Sequence, residues 1–188
     1  MEQLISSIRL FLRPMSLLLC FLLAFSAYSQ QKDEGPRIVL IRHGEKPKEG
    51  DGLNCKGLNR AHALPAVLYA KIGAPGMVYV PVSDGGKHSR MIQTITPFVE
   101  KYHLRLNSDY KTGDIKGVAK NISKKNGTVL VVWEHNGLED IARQLGVEGK
   151  LRWDDDDFDS MWIITYSKKG KARLQVDHEG LHPSAKCN

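Results

Sequence analysis

The sequence lacks an apolar run long enough to cross a membrane as a helix. Its longest such run covers residues 15–25, whereas a spanning helix needs about 20 apolar residues. Arginines precede the run, and small residues follow it at positions 27 and 29. A basic start, a short apolar core and a small-x-small cleavage site are typical of a secretory signal peptide. The pattern therefore predicts a signal peptide over residues 1–29 and a secreted or periplasmic mature chain without a membrane anchor.

Cysteine is also scarce, with three in the chain. Cys20 falls within the predicted signal, which leaves Cys55 and Cys187, an even number in a chain predicted to enter an oxidising compartment. These two either form a disulfide bond or remain free thiols, and the compartment favours the bond. The remaining residues, 30–188, are numerous enough for a single domain that buries a core without such bonds.

No stripe of basic residues interleaved with aromatics is present, which argues against nucleic acid as a partner. The formal charge of +6 falls to +5 once residues 1–29 are removed, because that segment carries two arginines and one glutamate. A moderately basic secreted domain attracts anions such as phosphate esters. The charge therefore favours an anionic partner, and the expected partner is a phosphorylated small molecule or glycan substrate.

Metal-ligand spacing is missing as well. Several histidines are scattered through the chain without it and are expected on the surface; they are His62, His88, His103, His178 and His182. The four aspartates at residues 154–157 either bind calcium or form a solvated loop. Because they lack the ligand spacing of an EF-hand, the loop is favoured, and the sequence predicts no metal site.

What the sequence does contain is an alternation of short apolar runs and helical periodicity. The patterns predict strands at residues 38–42, 77–82, 104–106 and 128–133, helices at 58–72, 91–102, 115–124 and 138–145, and a closing hairpin at 161–166 and 172–176. Strands that alternate with helices imply a mainly parallel sheet covered on both faces. The predicted fold class is therefore α/β, a three-layer sandwich with helices on both faces of the sheet.

Two of the predicted strands end in polar residues suited to phosphate chemistry. Arg42 and His43 follow the first strand, and His135 follows the strand at residues 128–133. Ligands of such sheets bind at the carboxyl ends of the strands, so these side chains are expected at one edge. A third strand leads to the helix that carries Arg90. Guanidinium groups offer forked donors to phosphate oxygens, and a neutral imidazole can act as a nucleophile.

Three motifs stand in a definite order around these residues. The first is Arg-His-Gly-Glu at residues 42–45, the second is Arg-x-x-Gln-Thr at residues 90–94, and the third is His135 after an apolar strand. With these motifs, the chain resembles the compact branch of the histidine phosphatase superfamily, which has the phosphoglycerate-mutase-like fold. The resemblance covers roughly residues 37–166.

The resemblance implies a phosphomonoesterase that needs neither metal nor cofactor. His43 would attack phosphorus and form a phosphohistidine, which water then hydrolyses. Arg42, Arg90 and His135 would hold the non-bridging oxygens and supply positive charge that a metal ion would otherwise provide. Catalysis of this kind is mostly positioning and electrostatic stabilisation.

No motif identifies the acid that would protonate the leaving oxygen. Glu45 and Glu134 flank the two histidines, while Asp109 and Asp114 lie in the middle of the chain. Glu134 is preferred, because it adjoins His135 at the end of its strand. The lack of a clear donor keeps an alternative open, namely a non-catalytic phospho-ligand-binding domain of the same fold.

Overall fold

The computed structural model of the protein describes residues 35–83 and 89–187. The predicted signal peptide at residues 1–29 lies outside the described residues, as does most of the turn at residues 83–88 that precedes Arg90. Within the two described ranges, no helix is both long and apolar enough to cross a membrane.

The described residues form one six-stranded sheet and four helices. The strands are β1 (Arg37–Arg42), β2 (Met77–Tyr79), β3 (Leu106–Asn107), β4 (Thr128–Trp133), β5 (Ser160–Tyr166) and β6 (Ala172–His178). The helices are α1 (Cys55–Ile72), α2 (Ser89–Lys101), α3 (Ile115–Ile122) and α4 (His135–Gln144). The strand order is β3-β2-β4-β1-β5-β6. β1 to β4 run parallel, and the hairpin of β5 and β6 adds to β1 in antiparallel orientation.

Helices cover both faces of this sheet. α1 and α2 pack on one face, with a core cluster that includes Leu64, Leu68, Ile95 and Phe98. α3 and α4 pack on the other face, with a cluster that includes Val118, Ile122, Leu138 and Ile141. The central strands are therefore apolar on both sides, as expected for parallel strands buried between two layers. The predicted three-layer α/β sandwich is confirmed.

The central strands β1 and β4 end at the same level. Their register runs from Arg37 opposite Thr128 to Arg42 opposite Trp133. The backbone N–H of His43 also donates to the carbonyl oxygen of Trp133 at 3.1 Å. The residues that follow the two strands therefore emerge side by side at one edge of the sheet.

Helix α1 begins three residues before the predicted start. The side chain of Asn54 caps it by accepting a hydrogen bond from the N–H of Gly57 at 2.9 Å, which is the usual role of asparagine at this position. Its first residue, Cys55, forms a disulfide bond with Cys187. The bond expected from the predicted compartment is present and ties the end of the chain to the start of α1.

Helix α4 also begins three residues earlier than predicted, at His135. The turn expected after β4 is in fact the first turn of this helix. Gly137 allows it, because a Cβ atom at this position would overlap the ring of Trp133. His135 is thus held at a helix N-terminus rather than in an irregular loop.

Strand β2 is shorter than predicted, since it ends at Tyr79 rather than at residue 82. The chain beyond it still pairs with its neighbour, because the N–H of Val80 donates to Asn107 O at 3.0 Å and that of Val82 to Tyr110 O at 2.8 Å. The apolar pattern therefore marked an extended, hydrogen-bonded segment of which only the first half is regular strand.

Candidate active site

His43 is almost fully buried at this edge of the sheet, with a relative exposure of 2%. Its Nδ1 lies 2.7 Å from the carbonyl oxygen of Gly44, and Nε of Arg90 donates to its Nε2 at 3.2 Å. A guanidinium can only donate, so Nε2 must accept. The ring proton therefore sits on Nδ1 and is donated to Gly44, which leaves the lone pair of Nε2 facing Arg90.

The surroundings of His43 also keep it uncharged. Burial, followed by the positive charges of Arg90 and Arg42, lowers its pKa from 6.5 to about 4. The hydrogen bond to the carbonyl of Gly44 acts in the opposite direction and is outweighed. At neutral pH the imidazole is neutral, which is the form that can act as a nucleophile.

The loop after His43 is packed directly on helices α1 and α2. The N–H of Gly44 donates to Oγ1 of Thr94 at 2.8 Å, and Thr94 in turn donates to the carbonyl oxygen of Arg90 at 2.6 Å. A Cβ on Gly44 would lie 3.1 Å from the backbone of Gly57, and a Cβ on Gly57 would overlap the backbone oxygen of Glu45. The motif at residues 90–94 therefore holds the His43 loop as well as supplying Arg90.

Glu45 is occupied by an ion pair rather than free to donate a proton. Arg60 donates to both of its carboxylate oxygens, at 2.9 and 3.0 Å, and Nζ of Lys56 lies 3.3 Å away. Burial alone would raise the pKa of Glu45, but the hydrogen bonds from Arg60 outweigh it, and the net shift is downward. An ionised carboxylate with both oxygens bound cannot serve as an acid, so the geometry speaks against the prediction that Glu45 is the proton donor.

Arg60 also links this loop to the end of β6. Its second amino group donates to Oε2 of Glu179 at 2.5 Å, and both residues are 3% exposed. Burial, which outweighs the attraction of Arg60, raises the pKa of Glu179 to about 8. Arg60 is therefore shared between two glutamates, and it braces the loop that carries His43.

Arg42, the last residue of β1, is held by the backbone of the aspartate run rather than by its carboxylates. Its NH1 group donates to the carbonyl oxygens of Asp155 at 2.5 Å, Asp157 at 3.2 Å and Asp154 at 3.4 Å. The guanidinium lies 4.0 Å from the ring centroid of Phe158. Its Nε is buried without a hydrogen-bond partner among the residues that the structure describes. Arg42 thus keeps donor capacity at the site.

His135 completes the group from the N-terminus of α4. Its Nε2 lies 3.0 Å from Oδ1 of Asp155, and the two side chains are 22% and 88% exposed. The free N–H groups and the dipole of a helix N-terminus favour an anion beside it. His135, Arg42 and Arg90 all act on the pKa of His43, so the structure brings these four predicted residues together.

The remaining predicted carboxylates differ in their surroundings. Asp109 accepts a hydrogen bond from Asn107 at 2.5 Å, and Asp114 caps α3 by accepting from the N–H of Gly117 at 3.0 Å. Glu134 is half-buried at the junction of β4 and α4; its backbone carbonyl accepts from the N–H of Leu138, but its carboxylate has neither a hydrogen bond nor an ion pair in the described part of the chain. The proposed role of Glu134 as proton donor stays a prediction.

The acidic loop at residues 154–157 is the part of the site that the sequence analysis missed. Asp155 is separated from Arg42 by 113 residues, and no local pattern links a run of aspartates to a strand end so far away. The loop is exposed, as expected, but its backbone closes over Arg42. Across the described ranges, no three His, Cys, Asp or Glu residues are grouped so that they could hold a metal ion.

Comparisons with known proteins show where this fold occurs. No protein-family model matches the chain, and no curated protein matches it in sequence. Among solved structures, the tungstate complex of the protein histidine phosphatase SixA is 14% identical, with a TM-score of 0.54 over 76% of this chain and 97% of that chain. The phosphoglycerate mutase of Plasmodium falciparum is 14% identical, with a TM-score of 0.53 over 83% and 98% of the two chains. The described residues thus share the fold of these two structures, and the predicted resemblance is confirmed at the level of the fold alone.

Proposed function

We propose that the protein is a phosphomonoesterase that works through a phosphohistidine on His43. The observation that carries this proposal is the state of that residue: a neutral imidazole with Nδ1 bound to Gly44 O and the Nε2 lone pair facing Arg90. A phosphoryl group held by Arg90 would lie directly in the path of this lone pair. The fold shared with a protein histidine phosphatase supports the same chemistry.

The first step transfers the phosphoryl group to the enzyme. Nε2 of His43 attacks phosphorus, so that an N–P bond forms while the ester P–O bond breaks. The leaving oxygen takes the bonding electrons and a proton, from Glu134 in our preferred version. Arg42, Arg90 and His135 donate hydrogen bonds to the non-bridging oxygens, where the charge of the transition state is spread.

The second step releases inorganic phosphate. A water molecule attacks phosphorus, the N–P bond breaks and Nε2 recovers its lone pair. The proton lost by water returns to the carboxylate that donated one in the first step, so the enzyme ends as it began. The Gly44 carbonyl keeps the Nδ1 proton in place throughout, and the ring needs no change of tautomer between the two steps.

We place this activity outside the cytoplasm, in a secreted or periplasmic protein acting on a phosphorylated small molecule or glycan. Two features support the location. The N-terminal sequence has the pattern of a signal peptide, and the disulfide between Cys55 and Cys187 suits an oxidising compartment. N-terminal sequencing of the protein from its host tests the location, since the mature chain should begin near Gln30.

The rival function is a phospho-ligand-binding domain without turnover, and one observation favours it. Glu45 is bound by Arg60, and Asp109 and Asp114 are bound locally. Only Glu134 is left as an unpaired predicted donor among the described residues. A site without an acid could still bind phosphate through the same arginines.

Leaving-group dependence separates the two functions. The purified protein should hydrolyse both an alkyl phosphate and p-nitrophenyl phosphate. Glu134→Gln should lower the alkyl rate by about 10²-fold and largely spare the aryl ester, whose phenolate needs no proton. Asp109→Asn is the matched control and should leave the ratio unchanged. A wild-type protein that binds phosphate but cleaves neither ester would establish the rival, and an unchanged ratio in Glu134→Gln would remove Glu134 from the mechanism.

We further propose that hydrolysis needs no metal ion. Arg42 and Arg90 supply the positive charge that would stabilise the transferred phosphoryl group. Treatment with EDTA, followed by gel filtration into metal-free buffer, should leave the rate on p-nitrophenyl phosphate within about twofold of its original value. A large loss that magnesium or zinc restores would contradict this part of the proposal.

A further inference from the structure

We infer that Asp155 is an internal competitor of substrate, because its carboxylate occupies the His135 donor that a bound phosphate needs. This inference rests on the proposed function and adds a residue that sets the affinity of the site for phosphoryl groups. The contact that carries it joins Oδ1 of Asp155 to Nε2 of His135 at 3.0 Å.

Asp155 contacts the phosphate-binding groups in two separate ways. Its backbone carbonyl accepts a hydrogen bond from Arg42 at 2.5 Å, and its carboxylate meets His135. The carbonyls of Asp157 and Asp154 also accept from Arg42. A rotation of the Asp155 side chain alone would therefore free His135 while the loop stays bound to Arg42.

The carboxylate and a phosphate exclude each other at this position. Nε2 of His135 carries at most one N–H and cannot donate a good hydrogen bond to two acceptors at once. Both acceptors are negatively charged, so their mutual repulsion adds to the competition for this donor. A phosphate that binds through His135 must first displace the side chain of Asp155.

The exposure of Asp155 makes this displacement feasible. The side chain is 88% exposed, and an exposed ion pair is typically worth only a fraction of a kcal/mol to about 1 kcal/mol. When only part of the population has a free binding group, the apparent dissociation constant rises by the inverse of that fraction. Asp155 therefore weakens phosphate binding by a modest factor instead of blocking it.

Asp156 provides a matched control on the same loop. It carries the same charge and acts on the pKa of Arg42, as Asp155 does, but it has no ion pair with His135. Replacing it removes one negative charge from the entrance of the site without freeing His135. The difference between the two positions isolates the competition from the general effect of charge.

Isothermal titration with inorganic phosphate tests the inference on the intact protein. We expect Asp155→Ala to bind phosphate about three- to sixfold more tightly than the wild type, and Asp155→Asn, whose amide oxygen can still accept from His135, to gain less. Asp156→Asn should change the affinity by about twofold or less. With p-nitrophenyl phosphate, the Asp155 variants should show a lower KM by a similar factor.

Three results would overturn the inference. The Asp155 variants could bind phosphate with the same affinity as Asp156→Asn, which would mean that only the loss of a negative charge matters. Their affinity could fall, which would make Asp155 a ligand-holding residue. The alkyl-to-aryl rate ratio could drop in Asp155→Asn, which would make Asp155 the proton donor. Tighter phosphate binding in a protein that hydrolyses no ester would support the inference and reject the proposed function, so the two failures are distinguishable.

Discussion

His43 and His135 follow neighbouring parallel strands whose ends are level, yet their surroundings differ in almost every respect. His43 is 2% exposed, and both of its ring nitrogens have partners, one a backbone carbonyl and the other a guanidinium. The side chain of His135 is 22% exposed and meets a single carboxylate that is itself 88% exposed. Its Nδ1 is buried without a partner in the described part of the protein.

The difference gives one residue type two different environments at equivalent positions of a sheet, and each environment suits the role proposed for that histidine. The His43 loop is held by buried packing on α1, by Thr94 and by the hydrogen bonds of Arg60 to Glu45 and Glu179. These contacts hold the imidazole in one tautomer and one orientation. His135 is held by a contact that water or a bound anion can replace. A nucleophile needs a fixed orientation, as His43 has. A residue that binds and releases phosphate needs a contact that can be exchanged, as His135 has.

Substitution of the two histidines should give the largest contrast. His43→Ala removes the proposed nucleophile and should lower kcat on p-nitrophenyl phosphate by roughly 10⁴-fold or more. His135→Ala removes one donor to the transition state and should cost roughly 10²- to 10³-fold. Steady-state rates for both variants, with circular dichroism to confirm folding, make the measurement.

A covalent trap adds a qualitative test of the same contrast. Rapid quenching of wild-type protein with a ³²P-labelled ester should yield acid-labile, alkali-stable phosphate on His43, and the label should be absent from His43→Ala. Label found on His135, or substantial turnover by His43→Ala, would reverse the assignment of the two roles.

The buried state of His43 should also appear as a pH dependence of stability. Its pKa is lowered from 6.5 to about 4 in the folded protein, so between these values the unfolded chain binds more protons than the folded one. The free energy of unfolding should therefore rise with pH across this window, by up to about 3 kcal/mol from this group, and be lost as the pH falls. Urea titrations at pH 4 to 7 should show a shallower rise in His43→Asn; equal slopes would mean that His43 is not buried in neutral form.

The packing beneath His43 can be tested with a pair of matched glycines. Gly57 and Gly117 are each the third residue of a helix, and each donates to a capping side chain. A Cβ on Gly57 would overlap the backbone of Glu45, whereas one on Gly117 would meet only the flexible carboxylate of Asp114. Gly57→Ala should lower the free energy of unfolding by about 2 kcal/mol and reduce kcat.

Gly117→Ala serves as the control for that change. It should cost about 1 kcal/mol or less, because alanine favours a helix and the carboxylate can move aside, and kcat should be unchanged. Similar losses of stability and activity in both variants would show that the close approach of α1 to the His43 loop has no special importance.

The smallest expected effect lies beside the acidic loop. Phe158 contacts the guanidinium of Arg42 through its ring face, and a cation–π contact of this kind is worth about 0.5–1 kcal/mol. Phe158→Leu should therefore weaken the binding of inorganic phosphate by about two- to fivefold, measured by isothermal titration. A loss of phosphate affinity above a hundredfold would mean that the acidic loop stabilises the site as strongly as α1 stabilises the His43 loop.

Local pattern was sufficient for most of the fold. The strand at residues 128–133 coincides with β4, and the helix expected to end before Gly73 does end there. Both predictions succeed because an apolar run and a terminating glycine affect only the few residues beside them. Boundaries that depend on neighbours were predicted less well. α4 starts early because the ring of Trp133 leaves room only for glycine at position 137, and this packing is not visible in the order of residues.

The residues of the candidate site also fall into those that local sequence pattern predicted and those that depend on the folded chain. Arg42, His43 and His135 could be selected from the sequence because they stand at strand ends. Arg90 could be selected because it begins the Arg-x-x-Gln-Thr motif. Glu45 was selected for its place beside His43, but its role depends on Arg60, which only the folded chain brings to it. The brace by Glu179 and the contact of Asp155 with His135 join residues that lie far apart in the chain.

By itself, the sequence determined the α/β class, the two central strands and the candidate site residues that follow them, because these depend on short-range periodicity and on the chemistry of individual side chains. Only the tertiary structure decided which histidine is buried in its neutral form and which carboxylates already have hydrogen-bond partners. It also decided that the acidic loop contacts the candidate site. Burial and hydrogen bonding depend on the positions of residues more than a hundred apart, as between Arg60 and Glu179 or between Arg42 and the backbone of Asp155. Those positions exist only once the sheet has assembled and its edge has brought the separate loops together.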